Sequence, residues 1–121
     1  MKIKKSIKDR NGTISSIILL IAIAVFITSV IGKYKLMVVM SNSMYPTLKK
    51  GEIIVSKSFS GKEELSVGDI CTYIVKGEAY TITHRIVDIT DEGYIFRGDN
   101  NKDPDKKIVT KDQIISKVIY W

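Results

Sequence analysis

Several residue types that build special sites are scarce in this chain. Its 121 residues include one cysteine, one histidine, one tryptophan and two prolines. With Cys71 alone, no intramolecular disulfide can form and no thiolate metal cluster can be assembled. The single imidazole, His84, argues against zinc, whose catalytic sites take three protein ligands, often histidines. No metal and no other cofactor is therefore expected. Cys71 sits in the apolar run Ile70-Cys71-Thr72-Tyr73-Ile74-Val75, where a buried structural thiol is the expected state. Internal repeats and low-complexity stretches are also missing, and both prolines, Pro46 and Pro104, stand in polar loop contexts.

Charge is unevenly spread. The net charge is +6, but residues 1–13 carry Lys2, Lys4, Lys5, Lys8 and Arg10 against Asp9 alone, a net of +4. From Lys33 onward, 14 basic residues nearly balance 12 acidic ones. A nucleic-acid-binding domain would carry its basic patch on the folded body. Here the excess lies beside an apolar segment, where it reads as a topology signal. No nucleic-acid partner is expected.

The stretch from Ile14 to Ile31 (ISSIILLIAIAVFITSVI) has neither charge nor proline. Eighteen helical residues rise about 27 Å, close to the roughly 30 Å hydrocarbon core of a bilayer. A cleaved secretory signal would have a shorter apolar core and a small-x-small site after it. The following Gly32-Lys33-Tyr34-Lys35 supplies no good site. The expected organisation is a basic cytoplasmic head (1–13), a transmembrane anchor (14–32) and an extracytoplasmic body (33–121), because the lysine-rich head stays in the cytoplasm.

The body predicts a mainly β fold of modest core size. Candidate strands are Leu36–Met40, Ile53–Lys57, Asp69–Val75, Ala79–Asp88, Tyr94–Arg97 and Lys117–Tyr120, rich in Val, Ile, Thr and Tyr. Glycines 51, 61, 68, 77, 93 and 98 punctuate them. Helical turns are expected only at Pro46–Lys49 and near Lys111–Ile115. In Ala79–Ile89 (AYTITHRIVDI), period-two alternation puts Tyr80, Ile82, His84 and Ile86 on one face. An imidazole on that apolar face suits a satisfied core histidine or a general base; the segment alone leaves both open.

Ser41-Asn42-Ser43-Met44-Tyr45-Pro46-Thr47 begins nine residues after Gly32. Taken alone it is a polar turn, in which serines cap backbone groups. The pattern Ser-x-Ser-Met-x-Pro-Thr behind an amino-terminal anchor resembles the nucleophile motif of type I signal peptidases. Three further blocks follow in that family's order: Val67-Gly68-Asp69-Ile70, His84-Arg85-Ile86-Val87, and Gly98-Asp99-Asn100-Asn101 followed by Asp105. The resemblance spans Tyr34 to Asp105. The common bacterial enzymes carry lysine where His84 stands, so the chain is similar to the endoplasmic-reticulum and archaeal (Ser-His) branch.

That resemblance implies a small signal-peptidase-like β-fold behind a single transmembrane helix, close to the minimal core of the fold. It implies a serine endopeptidase that removes signal peptides from exported preproteins after small-x-small (Ala-x-Ala-like) sites. Ser43 would be the nucleophile and His84 its base, with Asp105 orienting the imidazole and Asp99 the second important acid, holding the loop or Arg85. The oxyanion hole would comprise the Ser43 backbone N–H and the Ser41 hydroxyl. Met40 and Met44 would contact substrate, and the strand Leu36–Met40 would pair with it. Implied partners are signal-peptide-bearing preproteins, the lipid bilayer of the plasma membrane and accessory membrane subunits of unknown identity. A membrane-tethered, non-catalytic β module binding exported or envelope proteins is the alternative. A self-cleaving regulator would need a DNA-binding headpiece, which residues 1–32 do not offer.

Overall fold

A computed structural model describes residues 2–121, with side chains from Asp9 onward. Met1 and the side chains of Lys2, Lys4, Lys5 and Lys8, part of the expected basic head, lie outside the described residues. The chain divides into two units, one ending at Lys33 and the other spanning Tyr34–Trp121.

The first unit is one helix, α1 (Lys2–Lys33), so the head expected before the anchor is continuous with it. Within Asp9–Lys33 an 18-residue window reaches a mean hydropathy of 2.8, and the helix is long and apolar enough to cross a membrane. Its large side chains, Ile17 through Ile21 among them, are exposed on every side, the pattern of a helix surrounded by an apolar medium. Four of its described hydroxyls turn inward. Thr13, Ser16, Thr28 and Ser29 each donate to a carbonyl three or four residues earlier, which satisfies them without water.

The second unit is a six-stranded, wholly antiparallel sheet. Its strands are β1 (Tyr34–Val38), β2 (Ile53–Ser58), β3 (Ile70–Ile74), β4 (Thr81–Thr90), β5 (Gly93–Arg97) and β6 (Ile114–Tyr120). Their spatial order is β1-β2-β6-β3-β4-β5. All six expected strands are present, with ends shifted by up to three residues. The largest shift is at β6, which begins at Ile114 rather than Lys117. The helical turn expected near Lys111–Ile115 is a single 3₁₀ turn at Lys111–Gln113, after which Ile114 and Ser116 already pair with Tyr73 and Thr72.

β3 is the centre of the body. Ile70, Cys71, Thr72 and Tyr73 are all buried, which explains a nearly continuous apolar run where a one-sided strand would alternate. Cys71 and Tyr73 enter one core with Leu65, Ile86, Phe96, Val109 and Ile114. Ile70 enters the other with Met44, Leu48, Ile54 and Val118. Each large side chain so buried contributes about 1.5–3 kcal/mol. Burial pushes the Cys71 thiol up to about 12, with the Asp69 carboxylate adding to the effect, as expected of a structural cysteine.

Candidate active site

The serine loop follows β1 and is held from two directions. Leu48 N–H donates to Met44 O, closing a hydrogen-bonded turn around the cis Tyr45–Pro46 peptide in place of the helical turn expected there. Met44 is only 2% exposed and serves as the loop's apolar foot in the second core. From the other side, Asn100 clamps the loop: its backbone N–H donates to Ser43 O at 2.8 Å and its side-chain amide to Asn42 O at 3.1 Å. Ser43 is thus fixed by a segment 57 residues later in the chain.

His84 arrives on β4, directly opposite Cys71 on β3. It is 7% exposed and shares its face with buried Ile86 and half-buried Ile82, whereas Tyr80 on the same face is exposed. Its Nε2 lies 2.9 Å from Ser43 Oγ. Its Nδ1 lies 2.7 and 2.9 Å from the two carboxylate oxygens of Asp105. An ionised carboxylate only accepts hydrogen bonds, so Nδ1 carries the proton and the Nε2 lone pair faces the serine hydroxyl. That is the arrangement in which an imidazole can withdraw a serine proton during attack.

Asp99 is engaged elsewhere. Its carboxylate receives Arg85 Nε and Nη2 at 2.8 and 2.7 Å and the Thr47 hydroxyl at 2.6 Å. Arg85 also donates to Gly68 O at 2.8 Å. The bonds from Arg85 hold the Asp99 carboxyl below the usual carboxylate range; Thr47 reinforces this and burial opposes it. The same contact raises the Arg85 guanidinium further. Of the two acids expected near His84, only Asp105 reaches the ring. Asp99 ties the 98–101 segment to β4 and to the serine loop.

Ser41 Oγ lies 3.0 Å from Ser43 Oγ and accepts a long bond, 3.4 Å, from the Ser43 N–H. Both groups expected to donate to an oxyanion therefore lie at the Ser43 hydroxyl. Ser43 also borders a cleft of about 320 Å³ between residues 37–41 and 81–84. Met40, 78% exposed, stands at its rim, and buried Met44 also lines it. β5 pairs only with Arg85–Thr90, so the Thr81–His84 half of β4 carries a strand partner, β3, on one side alone. β1 likewise pairs on one side, with β2.

Two residues at the site escaped the sequence reading. The Tyr73 hydroxyl donates to Asp105 Oδ2 at 2.6 Å; its only signal was a polar-tipped aromatic inside an apolar run. Gly98 belonged to a recognised block, but its physical role was not legible. A Cβ there would lie 2.6 Å from Ser43 O, 2.7 Å from Asn101 Nδ2 and 3.0 Å from His84 Nε2, so Ser43 and the imidazole close together over a missing side chain. Among the described residues, no group of acidic, histidine and cysteine side chains could hold a metal ion.

Ser43 and His84 at one cleft, with Asp105 bonded to the far side of the imidazole, have the geometry of a serine-hydrolase site. The chain is 35% identical over 85 residues to signal peptidase I W of Bacillus subtilis, covering 67% of this chain and 44% of that protein. It is 35% identical over 82 residues to the signal peptidase complex catalytic subunit SEC11 of Pyricularia oryzae, covering 64% and 48%. The corresponding protein of Neurospora crassa is 34% identical over the same span. No protein-family model matches the chain. The chain belongs to the type I signal peptidase family. It spans about half the length of the curated relatives it matches.

Proposed function

We propose that this protein is a membrane-bound serine endopeptidase of the Ser-His type that removes amino-terminal signal peptides from exported preproteins. The observation that carries the reading is the unbroken path from Ser43 Oγ through the His84 ring to Asp105. Its names in relatives, signal peptidase I and the catalytic subunit of a signal peptidase complex, point to the same chemistry.

In this mechanism the substrate lies in the cleft as an extended strand, adding main-chain hydrogen bonds to the residues 37–41 and the free edge of Thr81–His84. Small side chains at the first and third positions before the cut suit shallow pockets bordered by Met40 and Met44. Ser43 attacks the scissile carbonyl while His84 takes its proton at Nε2. Asp105 holds Nδ1–H and stabilises the imidazolium that forms. The developing oxyanion is met by the Ser43 N–H and the Ser41 hydroxyl, which turns from its present contact to donate. One such preorganised donor contributes about 3–4 kcal/mol to transition-state stabilisation. His84 then returns the proton to the leaving amine, and water repeats the sequence on the acyl-enzyme.

Helix α1 serves as a single-pass anchor in the plasma membrane, with residues 1–13 cytoplasmic and the body from residue 33 outside. Holding enzyme and precursor on one surface raises their effective concentration without any new contact. Accessory membrane subunits are possible partners, on the analogy of the relatives that work as part of a complex.

The deciding experiment incubates the full chain in detergent with a precursor carrying an Ala-x-Ala site, reading the new amino terminus by mass spectrometry. Cleavage after that site is expected, and Ser43→Ala and His84→Ala should each lower kcat by at least about 10⁴-fold with unchanged thermal stability. Capture of the precursor with no new terminus would instead mark a binding module.

A further inference from the structure

Asp105 stands on the long connection between β5 and β6, next to Pro104 and the exposed Lys106 and Lys107. Its own backbone makes one recorded tie to the sheet, N–H to Phe96 O at 2.7 Å. Its carboxylate borders an open cleft of about 680 Å³ on the side away from Ser43, shared with Tyr80, Ile82 and Lys106. Carried by a loop rather than a strand, this carboxylate depends on its side-chain partners to keep it from turning away from His84.

One group opposes that motion. Tyr73 lies on β3, the strand buried on both faces, and is 4% exposed. Its ring packs on Phe96 with centroids 4.8 Å apart, and its hydroxyl donates to the same Asp105 oxygen that lies 2.7 Å from His84 Nδ1. The tyrosine therefore connects the loop-borne acid to the buried central strand of the sheet. Burial, with the Asp105 contact adding to it, raises the phenol well above its ordinary value, so it remains a donor throughout the working range.

We infer that Tyr73 is a positioning residue for the proposed reaction: it locks the Asp105 carboxylate in the rotamer that holds Nδ1–H of His84 and aims Nε2 at Ser43. It touches no substrate and acts only through Asp105. The inference rests on the peptidase reading above. A hydrogen bond that orients a reacting base, once lost, costs roughly tenfold in rate.

Tyr73→Phe tests it, since the ring and its packing on Phe96 remain and only the hydroxyl goes. The full chain in detergent is used for two measurements. The first is kcat and KM on the precursor; the expected result is kcat lower by about tenfold with KM unchanged. The second is the Nδ1–H signal of His84, which is unambiguous because the chain has one histidine. It should be sharp and slow to exchange in the parent and broadened or absent in Tyr73→Phe at an unchanged melting temperature. An Nδ1–H signal identical in both proteins overturns the inference, as does a kcat within twofold of the parent. A fall in stability with kcat per folded molecule preserved shows a merely structural tyrosine and also overturns it. If the parent itself cleaves nothing, the peptidase reading fails, and the Nδ1–H comparison alone decides whether Tyr73 positions Asp105.

Discussion

Asp99 and Asp105 stand six residues apart on one connection, yet they belong to different machines. Asp105 faces an imidazole, a partner that can gain and lose a proton, and its second contact is a neutral phenol. Asp99 faces a guanidinium, which never gives up its proton, and completes its shell with a hydroxyl. The first arrangement suits the orienting role proposed above for Asp105. The second is a fixed ion pair, bidentate and geometrically specific, and it braces the loop that carries Ser43 against the strand that carries His84. The identity of the partner, and not of the acid, separates chemistry from scaffolding.

Neutralising each acid in turn is the strongest way to break this comparison. Asp105→Asn should lower kcat by about 10³–10⁴-fold, through loss of the correct tautomer, while leaving the melting temperature nearly unchanged. Asp99→Asn should do the reverse. It leaves Arg85 without its charged partner and costs about 1–3 kcal/mol of stability, with kcat falling less than tenfold. Parallel precursor-cleavage kinetics and thermal melts decide it; equal effects on both quantities from both variants would erase the distinction.

Gly98 lies next to Asp99 and against both catalytic candidates, so it joins the two machines. A Cβ there must displace Ser43 O or His84 Nε2. Gly98→Ala should lower kcat by about 10²-fold and cost about 1–3 kcal/mol of stability through overpacking. Activity and melting measured on one preparation will show whether the two losses appear together.

The smallest expected effect is a pH dependence confined to the bracing acid. The Asp99 carboxyl is held below its ordinary value in the folded state. The stability it contributes is therefore complete above the unfolded value of about 3.9 and is lost as pH falls through the lower, native one. The melting-temperature gap between parent and Asp99→Asn should stay constant from about pH 7 to 5 and narrow below about pH 4. A gap that widens on acidification would contradict the assigned sign.

Local pattern determined much of this protein. The uncharged run 14–31 announced a helix long and apolar enough to span a bilayer, β-branched and aromatic clusters announced all six strands, and alternation put His84 beside Ile82 and Ile86. Side-chain period and hydropathy are properties of neighbours in the chain, so the amino-acid order carries them directly. The four ordered blocks also nominated the residues that meet at the cleft. They favoured Asp105 over Asp99 as the acid on His84 without fully separating the two, because both are aspartates in one polar loop and the choice depends on where that loop crosses β4. Nor could they reveal that Tyr73 would reach across to Asp105, or that the space between Ser43 and His84 closes only over a glycine. Those are distances between residues 14 to 55 positions apart, and only the packing of the sheet sets them.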